Sequence, residues 1–245
     1  MSDEPDQPDE NEYRQTGFRP PPGSTEIFLV RHGASEPARS GRPFPLVDGH
    51  GDPALAPEGL EQAERVGERF AEESIDALYV TTLRRTAQTA APLAARLGLE
   101  PIVEPGLREV GLGEWEGGIF REKVAKLDPI AVRMFTEERW DVIPGAEPHD
   151  EFMGRVRDAI ERIAAAHPGQ RVVAVAHGGV IGAALTHAVR SDRGFAFAGA
   201  DNGSVSHLVV ADGRWILRRF NDTSHLHRGF DLPALDTAPT SGFSA

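Results

Sequence analysis

The chain has 245 residues, a hydrophobic fraction of 40% and a formal net charge of −12. This length favours one compact α/β domain, and this apolar fraction excludes a globally disordered protein. The negative charge argues against nucleic acid and anionic membranes as partners, because both are bound through clusters of cations on a protein surface.

The composition also bears on where the protein acts. No apolar run approaches the roughly 18–20 residues that cross a bilayer, so we expect no membrane span. Residues 1–11 are acidic and lack the basic and apolar regions of a secretory signal. The absence of cysteine excludes disulfides and thiolate metal sites. We therefore expect a cytoplasmic protein.

Both ends of the chain differ in composition from the middle. Residues 1–25 are acidic and rich in proline without a helical or strand period, which predicts a disordered tail. Residues 228–245 carry prolines and small polar side chains, which predicts a flexible tail. The folded domain is therefore expected to span residues 26–227.

Strand and helix patterns alternate between these tails. Asp212-Gly213 joins the last two strands as a tight hairpin. The alternation predicts a three-layer α/β/α sandwich with a mostly parallel central sheet and an antiparallel edge. The strands are expected at 26–30, 77–80, 101–103, 171–176, 205–210 and 215–221, and the helices at 58–74, 84–97, 120–135, 150–166 and 180–189.

Two apolar strands of this pattern end in the dipeptide His-Gly, at His32-Gly33 and at His177-Gly178. In parallel sheets, ligands bind beyond the carboxyl ends of the strands. If the two strands are neighbours, both imidazoles would project into one crevice. The glycines would let the backbone turn tightly and bring N–H groups, including that of Gly178, close to an anion.

Arginines accompany these histidines. Arg31 precedes His32, and Arg85 opens a helix directly after another strand. A neutral imidazole can attack phosphorus when its other nitrogen is held as N–H by a backbone carbonyl, while a guanidinium binds two phosphoryl oxygens. The pattern therefore indicates phosphoryl chemistry.

Several ordered motifs together resemble the histidine phosphatase superfamily, in its phosphoglycerate mutase-like branch. The resemblance extends from about residue 26 to residue 222, and both tails lie outside it. The motifs are Leu-Val-Arg-His-Gly at 29–33, the Leu, Arg, Gln and Thr of 83–89, Leu-Arg-Glu at 107–109, Gly-Glu-Trp-Glu-Gly at 113–117, Pro-Gly-Ala-Glu at 144–147 and Ala-His-Gly-Gly at 176–179.

This resemblance implies a role for each matching residue. His32 would be the nucleophile that forms a phosphohistidine. The phosphoryl group would be bound by Arg31, Arg85 and His177. Glu109 would protonate the leaving oxygen and then help to deprotonate the attacking water. No metal or cofactor is expected when cations surround the phosphate.

Other polar residues have simpler interpretations. Glu114 and Glu116 are competing candidates for the acid, whereas Trp115 is expected to pack in the core. The stretch Arg155–Arg162 is most simply the solvent-facing side of a helix. His225-Leu226-His227 lacks a third ligand at suitable spacing, which argues against a metal site. The remaining histidines are expected at the surface or in local hydrogen bonds, and they are His50, His149, His167, His187 and His207.

Three functions remain open from the sequence. The first is a metal-independent phosphomonoesterase that acts on a small phosphorylated metabolite, the second is a phosphoglycerate mutase, and the third is a scaffold that binds a phosphorylated ligand. The intact nucleophile and acid weigh against the scaffold. The interval from Glu109 to His177 leaves little chain for the lid that excludes water in mutases, which favours hydrolysis. Departures from the family pattern at Ala56, Thr82 and Ala146 leave the substrate open, and the oligomeric state is open as well.

Overall fold

Strands and helices alternate through residues 15–226, which are the residues that the computed structural model describes. The strands are β1 (Thr25–Arg31), β2 (Leu46–Val47), β3 (His50–Gly51), β4 (Ala77–Val80), β5 (Ile102–Val103), β6 (Arg171–Ala176), β7 (Val205–Ala211) and β8 (Arg214–Asp222). The helices are α1 (Pro57–Phe70), α2 (Arg84–Leu97), α3 (Ile119–Ala125), α4 (Pro129–Glu137), α5 (His149–Ala166) and α6 (Gly178–Ala188).

Six strands form the central sheet in the order β5-β4-β6-β1-β7-β8. The first four in this order are parallel, and β7 and β8 are antiparallel, which confirms the predicted mixed sheet. Asp212 and Gly213 both have positive φ values, 48° and 70°, as a two-residue hairpin with right-handed twist requires. The short strands β2 and β3 form a separate ribbon.

The alternation of side chains along β1 separates two apolar layers. Ile27 and Leu29 pack in one core cluster with residues of α5 and α6. Phe28 and Val30 pack in a second cluster with residues of α1 and α2. Because successive side chains of a strand point to opposite faces, the sheet is covered on both sides, and the three-layer prediction is confirmed.

The single helix predicted at 120–135 is wrong, since the structure has two helices there. Leu127 adopts a positive φ of 52°, which ends α3. The Asp128 side chain accepts a hydrogen bond of 3.0 Å from the backbone N–H of Ile130, and Pro129 follows at the first turn of α4. An acidic cap and a proline at N1 are helix-start signals that apolar periodicity alone does not reveal.

The structure moves the predicted boundary of the N-terminal tail. Thr25, the last residue of that tail, is buried as the first residue of β1, and its Oγ1 donates to the carbonyls of Ala164 and His167 at 2.9 and 2.8 Å. Most of the predicted tails, 1–14 and 228–245, lies outside the described residues, as does His227. Between residues 15 and 226, no helix is long and apolar enough to cross a membrane.

Candidate active site

The two His-Gly dipeptides lie side by side at one edge of the sheet. Strands β1 and β6 are parallel neighbours, with Arg31 opposite Ala176 in register. The next residues, His32 and His177, therefore leave the sheet together, and their ring centroids are 5.2 Å apart. This is the juxtaposition that parallel pairing of the two strands predicts.

Hydrogen bonds define the protonation of the His32 ring. Its Nδ1 lies 2.7 Å from the carbonyl oxygen of Gly33, which can only accept, so Nδ1 carries the proton. Its Nε2 lies 3.2 Å from Nε of Arg85, which can only donate. Asn202 fixes the backbone by donating to the His32 carbonyl at 2.8 Å. Nε2 is therefore the unprotonated nitrogen of this ring, and its lone pair faces Arg85.

Burial and nearby cations keep both imidazoles neutral. His32 is 6% exposed and His177 is fully buried. Burial, reinforced by the Arg85 and Arg31 cations, holds the pKa of His32 well below its ordinary value. Burial and the Arg85 cation act in the same direction on the pKa of His177. A neutral imidazole is the form that can act as a nucleophile.

The two arginines are held by acceptors on opposite sides of the site. Arg31 donates through Nη1 to the carbonyl of Ala200. Arg85 donates through Nη1 to the carbonyl of Gly51 at 2.9 Å and lies 3.9 Å from a carboxylate oxygen of Asp52. Burial lowers the pKa of Arg85 to about 10, so the guanidinium stays charged at neutral pH. Asp52, which sequence reasoning did not identify, stabilises that charge.

Glu109 joins the site through the N-terminus of α6. Its Oε1 accepts from the N–H of Val110 at 3.0 Å, and its Oε2 accepts from the N–H of Gly179 at 3.3 Å. A Cβ at Gly179 would lie 2.6 Å from Oε1 of Glu109, so the carboxylate needs a glycine at this position. The negative charge of Glu109 acts on both Arg31 and Arg85.

Arg155 holds the segment that carries Glu109, so its interpretation as a solvent-facing helix residue is wrong. Its guanidinium donates to the carbonyls of Gly106, Arg108 and Glu109 at 2.9, 2.7 and 2.9 Å. It also makes two hydrogen bonds to the Glu147 carboxylate, at 2.6 and 2.8 Å. Part of the 144–147 motif therefore positions Glu109 indirectly.

The competing acids differ in position. Glu114 is exposed and does not line the cavity at His32. Glu116 lines that cavity, but its two oxygens accept from the N–H groups of Gly51 and Leu112 at 2.7 and 2.8 Å. Glu116 thus ties β3 to the 112–118 turn. Trp115 is 4% exposed in an apolar cluster, as expected for a core residue.

Gly33 and Gly178, the glycines of the two His-Gly dipeptides, have different structural roles. The N–H of Gly33 donates to Oγ1 of Thr89 at 3.0 Å, so the expected use of this N–H for an anion is wrong. A Cβ at Gly33 would lie 2.4 Å from the carbonyl oxygen of Gly59, which shows that the glycine permits close packing on α1. Gly178 begins α6, and a Cβ there would lie 3.4 Å from Nε of Arg31.

A threonine pair supports His177, and sequence reasoning did not identify it. Oγ1 of Thr81 lies 3.0 Å from Nε2 of His177 and 3.2 Å from Oγ1 of Thr86. Thr86 donates its own hydroxyl proton to the carbonyl of Leu83 at 2.8 Å. Nδ1 of His177 is buried and has no hydrogen-bond partner among the described residues. The signal available in the sequence was the pair of threonines, Thr81 and Thr86, between β4 and the first turn of α2.

Two of the histidines expected at the surface or in local hydrogen bonds also line cavities. His50 makes the expected local hydrogen bond, from Nδ1 to the carbonyl of Asp48 at 3.0 Å, but it also lines the cavity at His32. His149 lines a second cavity next to it. In the described part of the chain, no three His, Asp or Glu side chains are grouped to hold a metal ion.

A neutral buried imidazole, the buried Arg85, the partly buried Arg31 and an adjacent carboxylate define a phosphoryl-transfer site at the carboxyl edge of a parallel sheet. Residues 27–223 match the family model of the histidine phosphatase superfamily (branch 1). The chain belongs to this superfamily, and it is a phosphoryl-transfer enzyme.

Individual relatives agree with this assignment. The chain is 36% identical to phosphoglycerate mutase-like protein 4 of Arabidopsis thaliana, with 89% of this chain and 94% of that protein covered. It is 34% identical to a metal-independent phosphoserine phosphatase of the same plant, with 84% and 88% covered. The crystal structure of a mycobacterial glucosyl-3-phosphoglycerate phosphatase superposes with a TM-score of 0.69 at 26% identity, with 82% and 100% covered.

Proposed function

We propose that the protein is a metal-independent phosphomonoesterase that hydrolyses a small phosphorylated metabolite through a phosphohistidine at His32. The observation that carries this proposal is the hydrogen bond of 2.7 Å from Nδ1 of His32 to the Gly33 carbonyl. It keeps the proton on Nδ1 and presents the Nε2 lone pair to phosphorus. The absence of cysteine supports a cytoplasmic location.

In the first step, the Nε2 lone pair of His32 forms a bond to phosphorus while the ester oxygen leaves with the electrons of the broken P–O bond. Glu109 enters this step as the carboxylic acid and transfers its proton to that oxygen, so the product is an alcohol and Glu109 is left as the carboxylate. Arg31, Arg85 and the unpartnered Nδ1 of His177 meet the phosphoryl oxygens. The backbone of Gly178, at the start of α6 and beside Arg31, contacts the same phosphoryl group in this step.

In the second step, water attacks the phosphohistidine. The Glu109 carboxylate takes a proton from this water, the new P–O bond forms, and the P–N bond breaks. The electron pair returns to Nε2 of His32, which restores the starting imidazole, and inorganic phosphate is released. Throughout both steps the Gly33 carbonyl stabilises the positive charge that the ring carries while it is phosphorylated.

The chain between Glu109 and His177 supports hydrolysis over mutase transfer. This interval is occupied by α3, α4, α5 and β6 with short connections. Little chain is left for a separate lid, since α4 packs through Met134 in an apolar cluster with Trp115, and α3, which has no buried side chain, is only 7 residues long. Water therefore has access to the phosphohistidine, and the default product is inorganic phosphate. The retained nucleophile and acid likewise support an enzyme over a scaffold.

The test uses rapid acid-free quenching of enzyme mixed with a phosphomonoester in the presence of EDTA. We expect an acid-labile, base-stable phosphoenzyme in the wild type and none in His32→Ala, which should also lose turnover, because no neighbouring group can replace the nitrogen nucleophile. His187→Gln is a matched control, since His187 packs on Trp215 away from the site.

Two results would contradict the proposal. One is substantial turnover in His32→Ala, and the other is activity that EDTA abolishes and one divalent ion restores. Incubation with 3-phosphoglycerate and catalytic 2,3-bisphosphoglycerate separates the two reactions of this chemistry. Isomer formed much faster than free phosphate would assign mutase activity instead.

A further inference from the structure

A second cavity adjoins the one that contains His32. The catalytic cavity has a volume of about 270 Å³ and the second one about 190 Å³. Arg31, Glu109, Phe120 and Trp140 line both of them. Since Glu109 stands where the leaving oxygen would be protonated, a group attached to that oxygen would extend into the second cavity. We call this second space the leaving-group cavity.

Aromatic rings form the walls of the leaving-group cavity. Phe120 and Trp140 have ring centroids 5.9 Å apart, Trp140 and Phe195 4.9 Å, and Phe195 and Phe135 6.3 Å. Glycines and alanines of α6 and of residues 194–200 leave open space between these rings. Phe135, which lines the cavity, is 43% exposed, so part of its apolar ring surface is in contact with solvent. A flat apolar ligand would remove that surface from water.

Few residues of the leaving-group cavity can pair with a charged ligand. Besides Arg31 and Glu109, which the phosphoryl chemistry uses, His149 is the only lining residue among 15–226 that can carry a charge. Its buried Nδ1 has no hydrogen-bond partner and suits a neutral polar atom. An amino acid or glyceric acid would bring a carboxylate for which this cavity has no further cation. Burying such an unpaired charge is costly.

A carboxylate would have to bind elsewhere. Arg121 lines the catalytic cavity rather than the leaving-group cavity, and it already donates to the Glu36 carbonyl at 2.9 Å and to Oγ of Ser35 at 2.7 Å. The walls that adjoin Glu109 on the α6 side are aromatic. A leaving group attached to the oxygen at Glu109 therefore contacts the aromatic walls of the leaving-group cavity.

We propose that the preferred substrates are phosphomonoesters whose alcohol carries a flat aromatic ring, and that this ring binds between Phe135, Trp140 and Phe195. The proposal rests on the phosphomonoesterase function proposed above and specifies its substrate class. A ring that is transferred from water into the cavity contributes to binding in both ground and transition states, so it should raise kcat/KM.

The experiment compares 2-phenylethyl phosphate, ethyl phosphate and phosphoserine. In all three, the ester oxygen is bonded to an alkyl carbon. We expect kcat/KM for 2-phenylethyl phosphate to exceed that for ethyl phosphate by about tenfold or more. Phe135→Ala should lower the 2-phenylethyl value by about fivefold more than it lowers the ethyl value. Val132→Ala is the matched control, because Val132 is a 50% exposed apolar residue of the same helix that does not line the cavity.

Binding to an inactive variant separates this proposal from the catalytic one. The Kd values of 2-phenylethyl phosphate and ethyl phosphate are measured by calorimetry on His32→Ala, where no turnover is needed. A Kd at least about tenfold lower for the ring-bearing ester supports the cavity assignment whatever the fate of the phosphohistidine. Equal Kd values, a higher kcat/KM for phosphoserine, or equal losses for both esters in Phe135→Ala would overturn it.

Discussion

The phosphate end and the leaving-group end of this site are built in different ways. At the phosphate end, His32 and His177 directly follow paired strands, and the β1–β6 register alone brings them within 5.2 Å. At the leaving-group end, Phe120, Trp140 and Phe195 come from a helix, a turn and a loop that are far apart in the chain. The first end is determined by topology, and the second by side-chain packing.

This difference separates chemistry from specificity. Groups at the phosphate end contact the part of the substrate that every phosphomonoester shares, so their removal should slow all substrates by similar factors. Groups at the leaving-group end contact the part that varies, so their removal should be selective. Glu109 stands between the two ends, because it lines both cavities.

Among variants that keep the His32 nucleophile, the largest effect is expected for Glu109→Gln. The variant cannot protonate the leaving oxygen, so kcat/KM for ethyl phosphate should fall by about 10²–10⁴-fold. The loss should be much smaller for 4-nitrophenyl phosphate, whose phenolate leaves without a proton. Measurement of kcat/KM for both esters tests this, because that ratio reports the phosphorylation step.

Glu116→Gln is the control for this prediction. Glu116 lines the same cavity, but its oxygens bind the N–H groups of Gly51 and Leu112. We expect a smaller loss that is equal for the two esters. A loss in Glu116→Gln that depends on the leaving group, with none in Glu109→Gln, would exchange the roles of the two carboxylates.

The local signals in the sequence were sufficient for the phosphate end. Apolar runs that end in His-Gly predict buried strands with histidines at one edge, and the predicted range of β6 agrees with the structure residue for residue. The helix predicted at 84–97 also agrees with α2, whose left-handed Gly98 ends it. The apolar periodicity of a strand or helix and the glycine that ends it involve only a few neighbouring residues. The sequence therefore shows both features directly.

The supporting contacts could not be predicted in this way. Arg155 resembles any solvated helix arginine in sequence, and only the fold places it against the carbonyls of Gly106, Arg108 and Glu109. The leaving-group cavity likewise depends on how the 194–200 loop meets α4. Such contacts join residues separated by long stretches of chain, and no local period reports them.

The next effect tests whether His177 depends on Thr81. Thr81→Val removes the hydroxyl that lies 3.0 Å from Nε2 of His177. A neutral hydrogen bond contributes about 0.5–1.5 kcal/mol, so we expect kcat/KM to fall by about 2- to 13-fold, equally for ethyl and 2-phenylethyl phosphate. Thr81→Ser should restore it. Thr82→Val is the control, because Oγ1 of Thr82 is buried without a partner. A loss in Thr81→Val that differs between the two esters would contradict this prediction, because it would mean that Thr81 acts at the leaving-group end and not at the phosphate end.

The smallest effect concerns stability rather than rate. Burial and the Arg85 cation lower the pKa values of His32 and His177, so the unfolded chain binds more protons than the folded one below about pH 6.5. The free energy of unfolding is therefore fully present above that pH and falls as the pH is lowered through it. Each of the two histidines should account for at most about 0.8 kcal/mol between pH 7.5 and pH 6.

Urea unfolding at pH 7.5 and pH 6 measures this loss of unfolding free energy. His32→Asn removes one titrating group, so its unfolding free energy should depend less on pH than that of the wild type, whatever its absolute stability. Phe135→Ala changes only the leaving-group end and should keep the wild-type dependence. Parallel pH dependences for His32→Asn and the wild type would mean that His32 titrates in the folded protein as it does in the unfolded chain. The nucleophile would then be largely protonated near pH 6, and activity at that pH would require the substrate to deprotonate it.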